Sequence, residues 1–538
     1  MTPLPRHQNL TIGDALQEAL RLDQLGRYDE AQKLCQQVLK AKPDLMDAHH
    51  VLGVVALHAG KPVEAVRHLK QALKLQPSAV EVAFNLSKAY FAQAKWIEMA
   101  ATLETVHSLW PDRASILIDM GYALEKAGNE NAAIDAYQRA LQLDPGAAQA
   151  HSNLGAVFTR IGHLAEAQAH LNHALTTHPT MATALMNLAM LHESANRPAD
   201  ALAAYDRLLE KEPEHVYAHF QRALALMAQG RLRDGWDEYI WRFQRPHSAT
   251  LHNAFPYPIW NGEALEGRRI LIWTEQGPGD EILLASMLPD VLELCEDVSL
   301  VCSARLAPVF RRSFPDIDVI SADRLGQVEK KGKPDVQASF SHLGAILRPT
   351  LESFPPREKY LVADPVKRQK LRATYQGNTG TKLVGIAWHS ANAIAERNKS
   401  IALDAWIPLL KSIDATFISL QYGEHIHDAK RISQDLDRPI IIDRSVNPLQ
   451  DMDAFVAQVG AMDAVVSVSN TTVHVAGALG VPTVTMIPAG FGRIWYWFRD
   501  RDDSPWYPSA RLFQQQSATD WGHTLNAATG ALKQILGA

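Results

Sequence analysis

The chain has 538 residues, of which 47% are hydrophobic and 21% charged, with a formal charge of -6. A composition this close to the globular average excludes a disordered, collagenous or coiled-coil chain, and at roughly 150 residues per domain it predicts two to four units. The acidic balance argues against a general nucleic-acid binder, which needs a basic face. Cys35, Cys295 and Cys302 are too few and scattered for a disulfide framework or a zinc site, which fits reducing cytosol. The first residues carry no apolar secretory core, and no run of apolar residues is long enough to span a membrane, so a cytoplasmic protein is expected.

A repeat governs the first part. Pro43, Pro77, Pro111, Pro145, Pro179 and Pro213 stand 34 residues apart. Ala65, Ala133, Ala167 and Ala201 keep the same beat, as do Leu52, Leu86, Leu154 and Leu188. Gly60, Gly128, Gly162 and Gly230 share another phase, with Ala94 and Asn196 filling its gaps. Small residues let two helices cross closely, and proline ends a helix because it lacks an N–H. The pattern resembles the tetratricopeptide repeat, which implies an all-α solenoid over 12–243 in which each helix pair buries its apolar face on the next. Six good repeats are followed by a degenerate seventh from about 216, ending in the aromatic run Gly235–Phe243. Asn85, Asp119, Asn153, Asn187 and Gln221 are also 34 apart, at one position of the first helix of a repeat. A ladder of such side chains can hold a peptide backbone, because an amide both donates and accepts. The same side chains can equally bond within their own repeats.

Residues 244–266 hold Pro246, Pro256, Pro258 and Gly262 and read as a connector. Beyond them, β-rich runs alternate with helical stretches: strands at 269–273 and 298–302, a helix over 280–293, then strands at 383–388, 415–419, 440–442, 464–468 and 482–486. This alternation predicts parallel sheets with helices on both faces, in two Rossmann-like lobes over 267–362 and 382–538, with the C-terminal helix packing back on the first lobe. Ligands in such sheets sit beyond the carboxyl ends of the strands. The first strand runs into Glu275-Gln276-Gly277-Pro278-Gly279-Asp280-Glu281, and another into Ser469-Asn470-Thr471-Thr472-Val473-His474. Both loops lead into helices whose free N–H groups suit a phosphate, although Asp280 and Asn470 also read as plain helix caps.

Taken in order, these loops resemble the GT-B glycosyltransferases, in particular the heptosyltransferase-like group and bacterial proteins that join tetratricopeptide repeats to such a domain. Gln276-Gly277-x-Gly279-Asp280 and Thr471-x-x-His474-x-Ala476-Gly477-Ala478-Leu479-Gly480-x-Pro482 carry the resemblance. So do the segments 388–392, 397–401, 419–423 and 503–508. The resemblance implies a metal-independent, inverting transferase with no cofactor, the nucleotide-sugar being a substrate. Asp280 would be the general base, and His389 would act beside it. Gln276, Gly277, Gly279, Ser390, Lys399, Gln421, Gly423, Asn470, Thr471, Thr472 and His474 would hold the donor. Asn470 departs from the family pattern, which has Asp there, and this suits a more anionic donor. The acceptor would be a protein in the solenoid groove, with flagellin and a nonulosonic acid donor as one pairing among bacterial relatives. A transferase acting on lipid-linked saccharide and a non-catalytic binding scaffold are the alternatives. Arg493, Arg499 and Arg501 can reach phosphate or carboxylate unless Asp500, Asp502 and Asp503 neutralise them. Asp316/Asp318 and Asp451/Asp453 read as structural rather than as metal ligands. Trp495, Trp497 and Trp506 read as core.

Overall fold

The computed structural model describes residues 11–245, 254–377, 380–390, 396–423, 426–436, 439–490, 492–516 and 520–537. The expectations that touch Pro246, Ala391 and Asn392 lie outside the described residues. The chain divides into two compact units, Met1–Leu191 and His192–Ala538.

Helical hairpins fill the first unit: Ile12–Gln24 with Tyr28–Ala41, Met46–His58 with Pro62–Leu75, Val80–Phe91 with Trp96–Leu109, Ala114–Lys126 with Glu130–Leu143, and Ala148–Ile161 with Leu164–Thr177. The helix Ala182–Ser194 follows, and the second unit holds Pro198–Leu209 and the hairpin Val216–Ala228 with Leu232–Tyr239. The 34-residue phases have direct physical counterparts. Gly60, Gly128, Gly162 and Gly230 all have positive φ, and Ala94 (53°) and Asn196 (55°) adopt it in their place. The turn therefore demands a left-handed residue, which costs any residue with a Cβ. Where helices cross, a Cβ at Gly53 would lie 2.6 Å from Leu69, one at Gly121 2.5 Å from Tyr137, and one at Gly155 2.5 Å from Leu171.

Two parallel sheets occupy the rest of the second unit. The first orders its strands β3-β2-β1-β4, from β1 (Arg269–Trp273), β2 (Asp297–Cys302), β3 (Asp318–Ser321) and β4 (Val336–Ser339). The second orders β6-β5-β7-β8-β9, from β5 (Leu383–Ala387), β6 (Thr416–Ser419), β7 (Ala464–Val468), β8 (Thr483–Ile487) and β9 (Ala510–Gln514). Every strand pairing is parallel. The strands are buried along nearly their whole length, as expected of sheets covered on both faces.

Several boundaries differ from the sequence reading. Residues 440–442 form only a bridge from Ile441 to Ile418. The helix expected over 280–293 starts at Pro278, and a 3₁₀ turn at Ala285–Met287 breaks it before Leu288–Leu294. Pro289, lacking an N–H, sits in the first turn of the second piece. The connector is no free linker from 254 onward: Trp260 donates to the Gln337 carbonyl and Gln337 to that of Pro258, both at 2.8 Å, covering the open side of β4. The helix Pro365–Gln376, in the unassigned gap between the expected lobes, ties to the second sheet, with Arg368 on the Gly460 carbonyl and Arg372 on that of Ala461, both at 2.7 Å. The last helix, Gly522–Leu536, buries Leu525, Ala528 and Leu532 in the core of the second sheet.

Candidate functional site

The loops after β1 and β7 come from different sheets and meet. Gly279 opens the helix Pro278–Leu284, and a Cβ there would lie 2.9 Å from the His474 ring on the helix Thr471–Ala478. Only a residue without a side chain allows that approach. Asp280 is not the cap residue expected. Gly277 is the N-cap, and the Asp280 carboxylate reaches back to the Gly277 N–H at 3.4 Å. Burial pushes the Asp280 carboxyl above its usual range, against the pull of the Gly277 N–H, Arg242 and Lys399. Lys399 is 3% exposed, and burial brings its ammonium down to about 8 while Asp280 pulls it back up. A buried carboxyl and a buried amine thus act on each other electrostatically, and burial moves the acidity of each toward neutral pH.

Around this pair the sequence reading missed a polar and aromatic wall. Gln276, left-handed at φ 70°, donates its side-chain amide to the Tyr239 hydroxyl. The Arg242 guanidinium lies 4.3 Å from the centre of the Tyr239 ring and is ion-paired with Glu275, which also accepts from the Ser341 N–H at 3.1 Å. Tyr239 and Arg242 belong to the aromatic run that closes the last repeat, which therefore builds part of the site. Only the aromatic composition of that run hinted at it. Trp236 of the same run donates to the Arg348 carbonyl at 3.0 Å and fills the space where Gly344 has no side chain.

Both ring nitrogens of His474 lie against tyrosine hydroxyls. Its Nδ1 lies 3.0 Å from the Tyr507 hydroxyl, its Nε2 lies 3.1 Å from that of Tyr496, and the ring stacks on Trp497. Burial, with Lys399 nearby, takes its pKa down to about 3, so it stays neutral. It is a fixed wedge under Gly279. Trp495, Trp497 and Trp506 are buried core, as read from the sequence.

The second-sheet loops brace one another. Gln421 does not present its carbonyl outward but accepts from the Trp388 N–H at 3.1 Å and the His389 N–H at 2.9 Å. His389 Nδ1 lies 3.0 Å from the Ser400 hydroxyl, which also accepts from the Ser390 N–H at 3.1 Å. Asn470 accepts from the Thr472 N–H at 3.0 Å as a cap and donates Nδ2 to the His389 carbonyl at 3.0 Å. An Asp could cap equally well but could not donate, which explains Asn at this position without reference to a ligand. Thr471 is half-buried, and the Thr472 hydroxyl is buried without a hydrogen-bond partner. Gln421, Tyr422 and Gly423, with Asp443, Arg444 and Phe455, line a cavity of about 280 Å³ beyond the end of β6.

Three of the four Asp-x-Asp residues are engaged in ion pairs or caps. Lys331 lies 3.0 Å from Asp318, Asp451 caps the helix Met452–Gly460, and Lys367 lies 2.8 Å from Asp453. Among the described residues, no group of three or more His, Cys, Asp or Glu is placed to hold a metal ion, and no helix is long and apolar enough to cross a membrane. In the repeats, Asn85 donates to His50 at 2.9 Å, and Asn187 donates to the Ser152 carbonyl and hydroxyl, both at 3.1 Å, in each case on the preceding repeat. Asn153 accepts from Gln149 at 2.8 Å, and burial raises the Asp119 carboxyl beside Lys88. Gln221, in the second unit, is half-buried on the helix Val216–Ala228. At least two members of the ladder thus spend an amide N–H on the neighbouring repeat.

Comparison with known proteins places the first part in the tetratricopeptide class: the tetratricopeptide repeat model matches 16–79, 153–206 and 186–235, and a TPR repeat model matches 121–162. The whole chain then finds its family. It is 30% identical over 547 residues to protein FlbA of Caulobacter vibrioides, covering 98% of this chain and 91% of that one. The chain belongs to the FlbA family. It is also 24% identical over 229 residues to the protein O-mannosyl-transferase TMTC3 of Homo sapiens, spanning 42% of this chain but only a quarter (25%) of that protein. Among solved structures, MamA aligns with 32% of this chain and 97% of its own at 24% identity and a TM-score of 0.29.

Proposed function

We propose that the protein is a GT-B glycosyltransferase that moves a sugar from a nucleotide-sugar to a Ser or Thr hydroxyl of a protein. The observation that carries this reading is the close approach of the helices that follow β1 and β7, Gly279 against His474, with the buried Asp280 next to Gly279 and the charge of the buried Lys399 acting on it. The order and spacing of the motifs and the two parallel sheets support two Rossmann-like lobes. The partial likeness to a protein O-mannosyl-transferase is a weaker support in the same direction.

In this reading the acceptor hydroxyl gives its proton to Asp280 as its oxygen attacks the anomeric carbon, and the bond from that carbon to the donor phosphate breaks with inversion. Burial suits Asp280 to the task by raising its affinity for the proton. Lys399 and the N–H of Thr471, at the start of the helix Thr471–Ala478, hold the phosphate as its charge grows. The cavity beyond β6 takes the nucleoside. The repeats recruit the protein acceptor, for which flagellin with a nonulosonic acid donor is the pairing we favour, and the reaction runs in the cytoplasm. No cofactor takes part.

The test is intact-mass analysis of acceptor proteins, flagellin first, incubated with the protein and a panel of nucleotide-sugars. A mass gain of one sugar that depends on the protein is expected. Nucleotide binding without any transfer across the panel would support the binding-scaffold reading instead.

A further inference from the structure

The loop that follows β8 runs alongside the loop after β7, because the two strands are parallel neighbours. It carries Gly490 and Gly492, both left-handed, and then Arg493, Trp495, Tyr496, Trp497 and Arg499. Trp497 donates to the Ser469 hydroxyl at 2.7 Å, so this segment is anchored beside the candidate site. Nothing in the mechanism above uses its two arginines.

Both are held by neutral partners. Arg493 binds the Gln514 side chain, and Arg499 binds the Asn196 side chain and the Glu193 carbonyl, the latter at 3.4 Å. Each leaves its Nε buried without an acceptor, and Gln515, whose Oε1 accepts from the Ala489 N–H at 3.0 Å, leaves its Nε2 so as well. Charge is equally unbalanced. The two guanidiniums repel each other, and burial with that repulsion brings Arg493 down to about 10. Of the acids near them, Asp500 is exposed, and burial lifts the Glu193 carboxyl to about 7, where the Tyr205 hydroxyl bonds it at 3.0 Å. Arg501 is different, since Asp503 pairs with it at 2.7 Å.

Buried donors without acceptors are costly, and guanidiniums without carboxylates are the groups that recognise oxyanions. We propose that Arg493 and Arg499, with the Gln515 amide, form a binding site for an oxyanion of the donor substrate, either its phosphate or a carboxylate on its sugar. The site itself stands without the transferase reading, and only the source of the oxyanion rests on it.

The test is calorimetric titration of the full chain with inorganic phosphate, with glucuronate, and with glucose as the neutral control. Saturable binding of phosphate or glucuronate is expected, and the tighter of the two identifies the source. Arg493→Gln and Arg499→Gln should each weaken it roughly tenfold or more, while Arg501→Gln leaves it unchanged. Arg499 also helps hold Asn196, so Arg499→Gln counts only if its melting temperature is normal. Arg493→Gln, with partial rescue by Arg493→Lys, carries the test alone. No saturable binding of either anion, or equal affinity in wild type, Arg493→Gln and Arg501→Gln, overturns the proposal.

Discussion

Gly279→Ala puts the meeting of the two sheets to the test. Gly279 lies in the first turn of the helix Pro278–Leu284 at an ordinary negative φ, where replacing glycine normally stabilises a protein by about 0.4–1 kcal/mol. Here the new Cβ would stand 2.9 Å from His474 Cδ2, and the ring must yield about 0.5 Å to reach the 3.4 Å of ordinary contact. That ring is pinned by two tyrosine hydroxyls and stacked on Trp497. Overpacking a site that cannot relax costs about 1–3 kcal/mol, so the clash outweighs the gain and the net loss is about 1 kcal/mol. At roughly 2–4 °C per kcal/mol for a domain of this size, calorimetry should find the second unit melting a few degrees lower. A double-mutant cycle with His474→Ala should return a coupling energy of about 1 kcal/mol, because removing the ring removes the clash. A Gly279→Ala protein that melts higher than wild type, with no coupling to position 474, would refute the close approach.

Asn470→Asp keeps the helix cap but sets a carboxylate against the His389 carbonyl, and should lower stability by about 1–3 kcal/mol; an unchanged melting temperature would show that the Nδ2 bond contributes nothing. Lys399 holds phosphate only while charged, so nucleotide affinity should fall as pH rises through about 8, and Lys399→Ala should be weak and flat across that range in calorimetry. Ala94→Gly relieves a left-handed alanine and should raise stability by about 1 kcal/mol, read from denaturant melts. Burial and the neighbouring Arg67 lower the His68 pKa to about 4, so its neutral form favours folding and that support drains away as pH falls from about 6.5 toward 4. The hydrogen-exchange protection factors over 46–75 should fall in that window, and less so in His68→Gln.

The repeats were legible because each physical demand recurs at a fixed interval: a left-handed turn at Gly60 and its equivalents, a missing side chain at Gly53, Gly121 and Gly155. Long apolar strands such as β1 and β7 were legible for the same reason that they are buried. The short strands β4 (Val-Gln-Ala-Ser) and β9 (Ala-Arg-Leu-Phe-Gln) are polar enough to pass for loop and were missed, although β9 buries Ala510 and Leu512 at the sheet edge. At the site, the sequence singled out Asp280 and Lys399, and the structure buries both, each under the electrostatic influence of the other. It could not tell a side chain that faces a ligand from one that braces its own loop. Gln421, Asn470 and His474 each brace another segment, and their partners, the backbone at 388–389 and the hydroxyls of Tyr496 and Tyr507, lie far from them in sequence or on another element. Tyr239 and Arg242 were hidden for the converse reason, since nothing in a degenerate repeat says that its last turn reaches Glu275 and Gln276.

The central claim is that Asp280 takes the acceptor's proton, and turnover by Asp280→Asn measures it most directly. Asn keeps the size of the side chain and an oxygen that can accept from the Gly277 N–H, so folding and nucleotide affinity should stay normal. With a donor and acceptor pair found by mass analysis, the account predicts transfer slowed by about 10²–10⁴-fold. Transfer at near wild-type rate in a folded Asp280→Asn protein would contradict it.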